Sequence, residues 1–112
     1  MKIQLNEKEN ITIASIIGKI DLYNSNEINE LFEKLISDNK INVIVNLENV
    51  PFMDSSAFVG FVNWTKKFQQ INGKLIILNV AGFVAKVIEQ NSMGALLEIY
   101  HNEQAALDSF SK

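Results

Sequence analysis

The 112-residue sequence predicts a single α/β domain with a mixed, mostly parallel sheet of about five strands and four helices. Two aliphatic runs, residues 43–45 and 75–78, are typical of strands buried on both faces. Segments with helical apolar spacing follow these runs, so the strands need crossover connections and are expected to be parallel. The first residues alternate between apolar and polar instead, which indicates an antiparallel leading pair.

The amino-terminal part of the chain divides into two short strands and a first helix. Residues 3–5 alternate, the charged segment 6–10 is predicted to be a loop, and residues 11–17 resume the alternation. Asn24 or Ser25 can cap the helix. An apolar stripe at helical spacing follows that cap: Ile28, Leu31, Phe32, Leu35 and Ile36.

Strand and helix alternate again in the carboxyl-terminal part. The Asn72-Gly73 pair is a stop signal for the central helix. Residues 83–88 form a short predicted helix, and residues 96–100 form the last predicted strand. Asn102 is expected to cap a terminal helix with four inward side chains: Ala105, Ala106, Leu107 and Phe110.

A polar cluster, Asp54-Ser55-Ser56, separates the central strand from the central amphipathic segment. Pro51 ends the strand because proline has no N–H for a sheet ladder. The helix is predicted to begin at Asp54 or Ser55, where a carboxylate accepts backbone N–H groups and meets the positive end of the helix dipole. Each of these two effects stabilises the helix by about 1 kcal/mol. From its spacing alone, the cluster can therefore be explained as a helix cap with no further function.

Composition excludes several classes of function. Thirteen acidic against ten basic residues give a net charge of −3, which disfavours nucleic-acid binding. The chain has no cysteine and only His101 as histidine, so we expect no thiolate or histidine-rich metal site. No apolar run approaches the roughly 20 residues needed to span a bilayer, and no signal-peptide core follows Met1. A cytoplasmic protein without direct membrane insertion is expected.

Two segments carry a family resemblance. Residues 54–57, Asp-Ser-Ser-Ala, follow a hydrophobic strand and precede a helix with two lysines, and they resemble the D-S-S-G segment of the STAS domain family. Residues 18–21, Gly-Lys-Ile-Asp, resemble that family's G-x-hydrophobic-D signature. The resemblance covers nearly the whole chain and implies one STAS domain over residues 1–112.

The resemblance also implies a function and a site. The family includes bacterial anti-sigma factor antagonists, in which the second serine of the motif accepts a phosphoryl group, and Ser56 is the match here. Asp21 matches the aspartate near the phosphosite, while Asp54 and Ser55 complete the motif. The family glycine is Ala57 here, which adds one methyl group where a partner would approach.

The implied protein is a non-enzymatic switch that needs no cofactor, because its partner supplies the ATP. While Ser56 is unmodified, it binds an anti-sigma factor that is a serine kinase of histidine-kinase-like ATPase fold. Once Ser56 is phosphorylated, it dissociates from this partner. The sigma factor that this binding releases would activate transcription, and a phosphatase would reset the switch.

Two other functions remain open at this stage. One is a docking subunit of another assembly, in lipid transport or stress signalling, in which Ser56 is never modified. The other is a small serine hydrolase, which the absence of a base near Ser56 in sequence disfavours because His101 lies beyond the last strand. Asp21 and Asp54 could equally be solvated loop carboxylates, since two carboxylates alone make a poor divalent site.

Ser56, Gly60 and Trp64 are spaced four residues apart and are predicted to share one ridge of the central helix. Aromatic side chains dominate interface hot spots, so Trp64 is a candidate partner anchor. The alternative is that its ring packs against the neighbouring helix. Both interpretations stand on the sequence alone.

Overall fold

The structure, a computed structural model, describes residues 1–111 and contains one five-stranded sheet in the order β1-β2-β3-β4-β5. Strands β1 and β2 are antiparallel, and the remaining pairs are parallel, which confirms the predicted fold class. In chain order the elements are β1 Lys2–Lys8, β2 Ile11–Ile17, α1 Ser25–Ser37, β3 Asn42–Asn49, α2 Ser55–Gln70, β4 Lys74–Leu78, α3 Gly82–Glu89, β5 Ile99–Tyr100 and α4 Glu103–Asp108.

The helices divide between the two faces of the sheet. Helices α1, α2 and α3 each connect neighbouring parallel strands, and all three contribute to one apolar core. Helix α4 covers the opposite face, where Ala106 and Leu107 pack on a smaller cluster of strand residues. The aliphatic runs of β3 and β4 are therefore buried on both faces, as their composition predicts.

Two strand boundaries differ from the prediction. Strand β1 continues through the charged segment to Lys8, and only Glu9 and Asn10 form the turn, with φ of 55° and 66°. As an edge strand it pairs on one side only, so it tolerates charged side chains that a central strand would exclude. Strand β5 is only two residues long, because Leu96 belongs to the short 3₁₀ helix Ser92–Leu96 that precedes it.

The loops after β2 and β3 run side by side beyond the strands. Because the two strands are parallel, their carboxyl ends meet at the same edge of the sheet. Ile20 N–H donates to Phe52 O at 3.0 Å, and Asp54 N–H donates to Ile20 O at 3.2 Å. These bonds bring the segments containing Asp21 and Asp54 together, although 33 positions separate the two residues in the sequence.

Phe32 holds α1 against α2. Its side chain is fully buried. The ring makes edge-to-face contacts with Phe61, Trp64 and Phe68 of α2, at centroid distances of 6.4, 5.3 and 5.7 Å. Such pairs contribute beyond the area that they bury. The spacing between the two helices therefore depends on this ring.

Replacing Phe32 by alanine should lower the free energy of unfolding by about 3–5 kcal/mol, because the change leaves a cavity between α1 and α2. Urea denaturation followed by circular dichroism measures the loss. Tyr23→Ala is the matched control, since Tyr23 is 94% exposed and its truncation should change stability by less than about 0.5 kcal/mol. Similar losses for the two variants would contradict the central place of Phe32 in this core.

Candidate functional site

Asp54 is the N-cap of α2, and its carboxylate organises the start of the helix. Its Oδ1 accepts the Ala57 N–H at 2.9 Å and the Ser56 hydroxyl at 2.7 Å. The helix begins at Ser55, as the sequence predicts. The hydroxyl of Ser56 thus has a fixed hydrogen-bond partner at the positive end of the helix dipole.

The second oxygen of Asp54 reaches the other loop. Its Oδ2 accepts the Leu22 N–H at 2.9 Å, a contact between residues 32 positions apart. One carboxylate therefore binds the start of α2 and the loop before α1 at the same time.

Asp21 shapes that loop from within. Its Oδ1 accepts the N–H groups of Tyr23 and Asn24 at 2.9 and 3.2 Å, and the Asn24 side chain accepts the Asp21 N–H in return at 2.9 Å. Asn24 also donates its amide to Lys19 O at 2.9 Å. Asn24 is the N-cap of α1, but its side chain forms hydrogen bonds with the loop backbone and none with the N–H groups of the helix. Asp21 is thus linked to the Ser56 segment through the loop and Asp54.

The hydrogen bonds at Asp54 favour its ionised form. Desolvation by itself raises the pKa of this carboxyl group, but the bonds donated by Ala57, Ser56 and Leu22 outweigh it and lower the pKa below its ordinary value of 3.8. The site therefore keeps a negative charge beside Ser56 at neutral pH.

Ser55 and Ser56 are exposed, whereas Ala57 is only 4% exposed. The methyl group of Ala57 belongs to the apolar core and also lines the groove between α1 and α2 that is described below. The helix turns position 57 inward while it leaves Ser56 outward, and the effect of the Ala57 methyl group on partner fit stays a prediction.

Trp64 packs against α1. Its Nε1–H donates to Asn29 Oδ1 at 2.8 Å, and its ring lies 5.3 Å from that of Phe32. Lys67 Nζ lies 5.0 Å from the centroid of the Trp64 ring. Trp64 is therefore a packing residue, although its half-buried side chain remains partly accessible to solvent. A role for Trp64 in partner binding stays a prediction.

A groove runs between α1 and α2 from Ser56 to Trp64, with Gly60 between them. Its volume is about 80 Å³. Small-molecule pockets usually measure roughly 300–1,000 Å³. The groove is therefore too small to enclose a drug-sized ligand.

Sequence reasoning missed an exposed apolar surface beside Ser56. Leu22 and Tyr23 are 70% and 94% exposed, on the loop that Asp54 holds. Phe52 and Phe83 are also exposed and stack at a centroid distance of 5.1 Å. The sequence does contain a signal for this surface, the apolar pair Leu22-Tyr23. The pair lies between a strand and a helix and fits the periodic pattern of neither. We call the Leu22 and Tyr23 side chains, on the loop that Asp54 holds, the apolar rim.

The residues 1–111 contain no group of three or more histidine, cysteine or acidic side chains placed to hold a metal ion. The Ser56 hydroxyl donates to a carboxylate and not to an imidazole. What the geometry offers is a presented serine hydroxyl next to a fixed negative charge and an apolar surface.

The fold and this site define a small α/β binding module that presents a serine at the start of a helix. The chain belongs to the STAS domain family, whose model matches residues 2–106. The family expected from the two motifs is thereby confirmed.

Relatives and solved structures extend this finding. The chain is 26% identical over 99 residues to the anti-sigma-B factor antagonist of Staphylococcus aureus, covering 88% of this chain and 92% of the relative. An anti-sigma factor antagonist from Mycobacterium paratuberculosis has a similar fold, with a TM-score of 0.88 at 13% identity over 99% of this chain and 94% of that one.

A third similar protein is SpoIIAA, a Bacillus cell fate determinant whose structure is known in the phosphorylated form. The TM-score is 0.71 at 22% identity, covering 97% of this chain and 99% of that one. The structural matches are below 25% identity and therefore establish the fold alone.

Replacing Asp54 by alanine should lower the free energy of unfolding by about 1–2 kcal/mol at pH 7, because α2 loses its cap. The folded-state pKa of Asp54 is depressed, so its stabilisation is complete above the unfolded pKa and disappears as the pH falls through the folded value. The difference in unfolding free energy between wild type and variant should therefore begin to narrow below about pH 5 and go on narrowing below pH 3.8.

Urea denaturation across this pH range measures the difference. Ser55→Ala removes an exposed hydroxyl at the neighbouring position and is the control, with little expected change. A constant difference between wild type and Asp54→Ala down to pH 3 would contradict a stabilising charge at position 54.

Proposed function

We propose that this chain is a cytoplasmic anti-sigma factor antagonist whose binding to its anti-sigma factor is switched by phosphorylation of Ser56. The observation that carries the proposal is the Ser56 hydroxyl, exposed and hydrogen-bonded to Asp54 at the first turn of α2. Support comes from the S. aureus relative, named an anti-sigma-B factor antagonist, and from SpoIIAA, which has a phosphorylated form. None of the helices in residues 1–111 is long and apolar enough to cross a bilayer.

The site suits a phosphoserine that leaves the fold intact. A phosphate group adds a charge of about −1.5 to −2 at neutral pH. At the first turn of a helix this charge meets the positive end of the dipole, so folding tolerates it. Its position on an exposed side chain removes any need to repack the core.

The same phosphate is unfavourable for a closely packed complex. A partner that covers Ser56 must desolvate the phosphate dianion beside the ionised Asp54 carboxylate. Burying an unpaired or like-charge group of this kind costs several kcal/mol, and each 1.4 kcal/mol corresponds to a tenfold change in affinity. Phosphorylation therefore acts on binding far more than on folding.

The apolar rim gives the unmodified protein a surface to bind with. The backbone N–H groups of Leu22 and Tyr23 bind Asp54 and Asp21, so this loop loses little backbone conformational entropy when a partner covers it. Aromatic side chains of this kind are enriched at interface centres. Ser56 lies close to this rim, because the Asp54 carboxylate accepts hydrogen bonds from both the Ser56 hydroxyl and the Leu22 N–H.

The proposed partner is an anti-sigma factor with the histidine-kinase-like ATPase fold, which supplies the ATP. In the transfer, the Ser56 oxygen forms a bond to the γ-phosphorus, the bond between that phosphorus and the bridging oxygen breaks, ADP leaves with this oxygen, and the hydroxyl proton passes to solvent. This chain is the substrate of that step, and a separate phosphatase restores the hydroxyl. The chain itself needs no cofactor and has no turnover in this account.

Phosphorylation of Ser56 should weaken binding to the anti-sigma factor at least a hundredfold while the melting temperature changes little. Ser56→Ala should bind persistently and accept no phosphate, and Ser56→Asp should bind more weakly with a native circular dichroism spectrum. Titration calorimetry with the anti-sigma factor, alongside thermal melts and mass spectrometry of the phosphorylated chain, measures these effects.

Ser55→Asp is the matched control, because it places a charge one residue away on the same helix turn. Phosphate found on Ser55, or equal affinities for modified and unmodified protein, would overturn the assignment of Ser56. A chain that is never phosphorylated and tolerates Ser56→Asp in its native complex would instead be a docking subunit of another assembly.

A further inference from the structure

Gly60 has no structural reason to be glycine. It lies in the interior of α2, where glycine is destabilising relative to alanine. Its backbone angles are not in the left-handed region, and a methyl group on its Cα would meet no atom within 4 Å beyond the backbone of its own helix. Internal packing therefore does not exclude a side chain at position 60.

The open space at Gly60 is part of the groove between α1 and α2. Gly60 lies four residues from both Ser56 and Trp64, so any side chain at position 60 would project along the same stripe. A side chain there would occupy the groove. The glycine thus keeps the groove open at the expense of helix stability.

The walls of the groove are mostly carbon. Ile20 and Ile28 close one side, and Ala57 and Phe61 close the other. The volume of about 80 Å³ suits one aliphatic side chain, and it is far below the size of a pocket for a drug-sized ligand. Its polar edge includes Ser56, so the groove is continuous with the proposed phosphosite.

We propose that this groove receives one branched aliphatic side chain of the anti-sigma factor, and that Gly60 is the residue that determines this specificity. The inference rests on the proposed function, because the occupant belongs to the partner that covers Ser56. Phosphorylation would then place a dianion at the mouth of the groove, where an aliphatic group enters. The groove adds a second reason for the loss of affinity besides the charge of Asp54.

The chain supplies its own reporter for this groove. Trp64 is the single tryptophan of the sequence and lines the groove, with its indole N–H bonded to Asn29. The indole N–H resonance and the amide resonances of Gly60 and Ala57 should respond to an occupant. The natural probe is N-acetyl-leucine methylamide, with N-acetyl-glycine methylamide as the matched compound that lacks the side chain.

The test compares wild type with Gly60→Ala and Gly60→Leu by NMR titration of these two compounds. In wild type the leucine compound should shift the Gly60, Ala57 and Trp64 resonances, and the glycine compound should not. Both variants should reduce the response at Ala57 and Trp64 at least tenfold. Gly60→Ala should also raise the melting temperature by about 2–6 °C, since it restores helix propensity.

Asn63→Ala is the matched variant, because Asn63 is exposed on α2 outside the groove and its change also favours the helix. It should keep the NMR response and the affinity for the anti-sigma factor, whereas Gly60→Ala should weaken that affinity at least tenfold. Wild-type affinity in Gly60→Ala, or equal shifts with both compounds, would overturn the groove proposal alone. Failure of the wild-type chain to bind the anti-sigma factor would overturn the proposed function instead.

Discussion

The Asp54 carboxylate is the contact on which the rest of the site depends. One oxygen binds the Ser56 hydroxyl and the Ala57 N–H, and the other binds the Leu22 N–H. These bonds connect the end of β3, the start of α2 and the loop that follows β2. They orient the Ser56 hydroxyl and keep a negative charge beside it. They also hold the loop that carries the apolar rim next to Ser56 and Asp54.

A site built in this way can change its chemistry without changing its fold. The groups that hold Ser56 lie at a helix end and in two exposed loops, whereas the sheet and the Phe32 contacts lie beneath them. An added phosphate meets solvent and the helix dipole first. The partner, which must replace that solvent, experiences the full cost of desolvation.

Local patterns in the sequence predicted most of the fold, because buried strands and capped helices leave periodic signals. The start of α2 after Asp54 is one example, and the Asn102 cap of α4 is another. The charged residues 6–8 of β1 were predicted to be part of a loop, because an edge strand can carry charged side chains and then lacks the apolar pattern of a buried strand. The bond from Leu22 to Asp54 and the inward methyl of Ala57 had no local signal, because both depend on how distant segments pack.

If modification of Ser56 alters only a surface on a preformed scaffold, its effects on the rest of the chain must stay local. The most direct measurement is the amide NMR spectrum of the chain before and after phosphorylation, combined with hydrogen exchange. Chemical shifts should change only around residues 20–24 and 54–60, while the slowly exchanging amides of β3 and β4 should keep their exchange rates. Shifts spread through the sheet, or faster exchange in β3, would contradict this expectation, because the phosphate would then act by altering the fold.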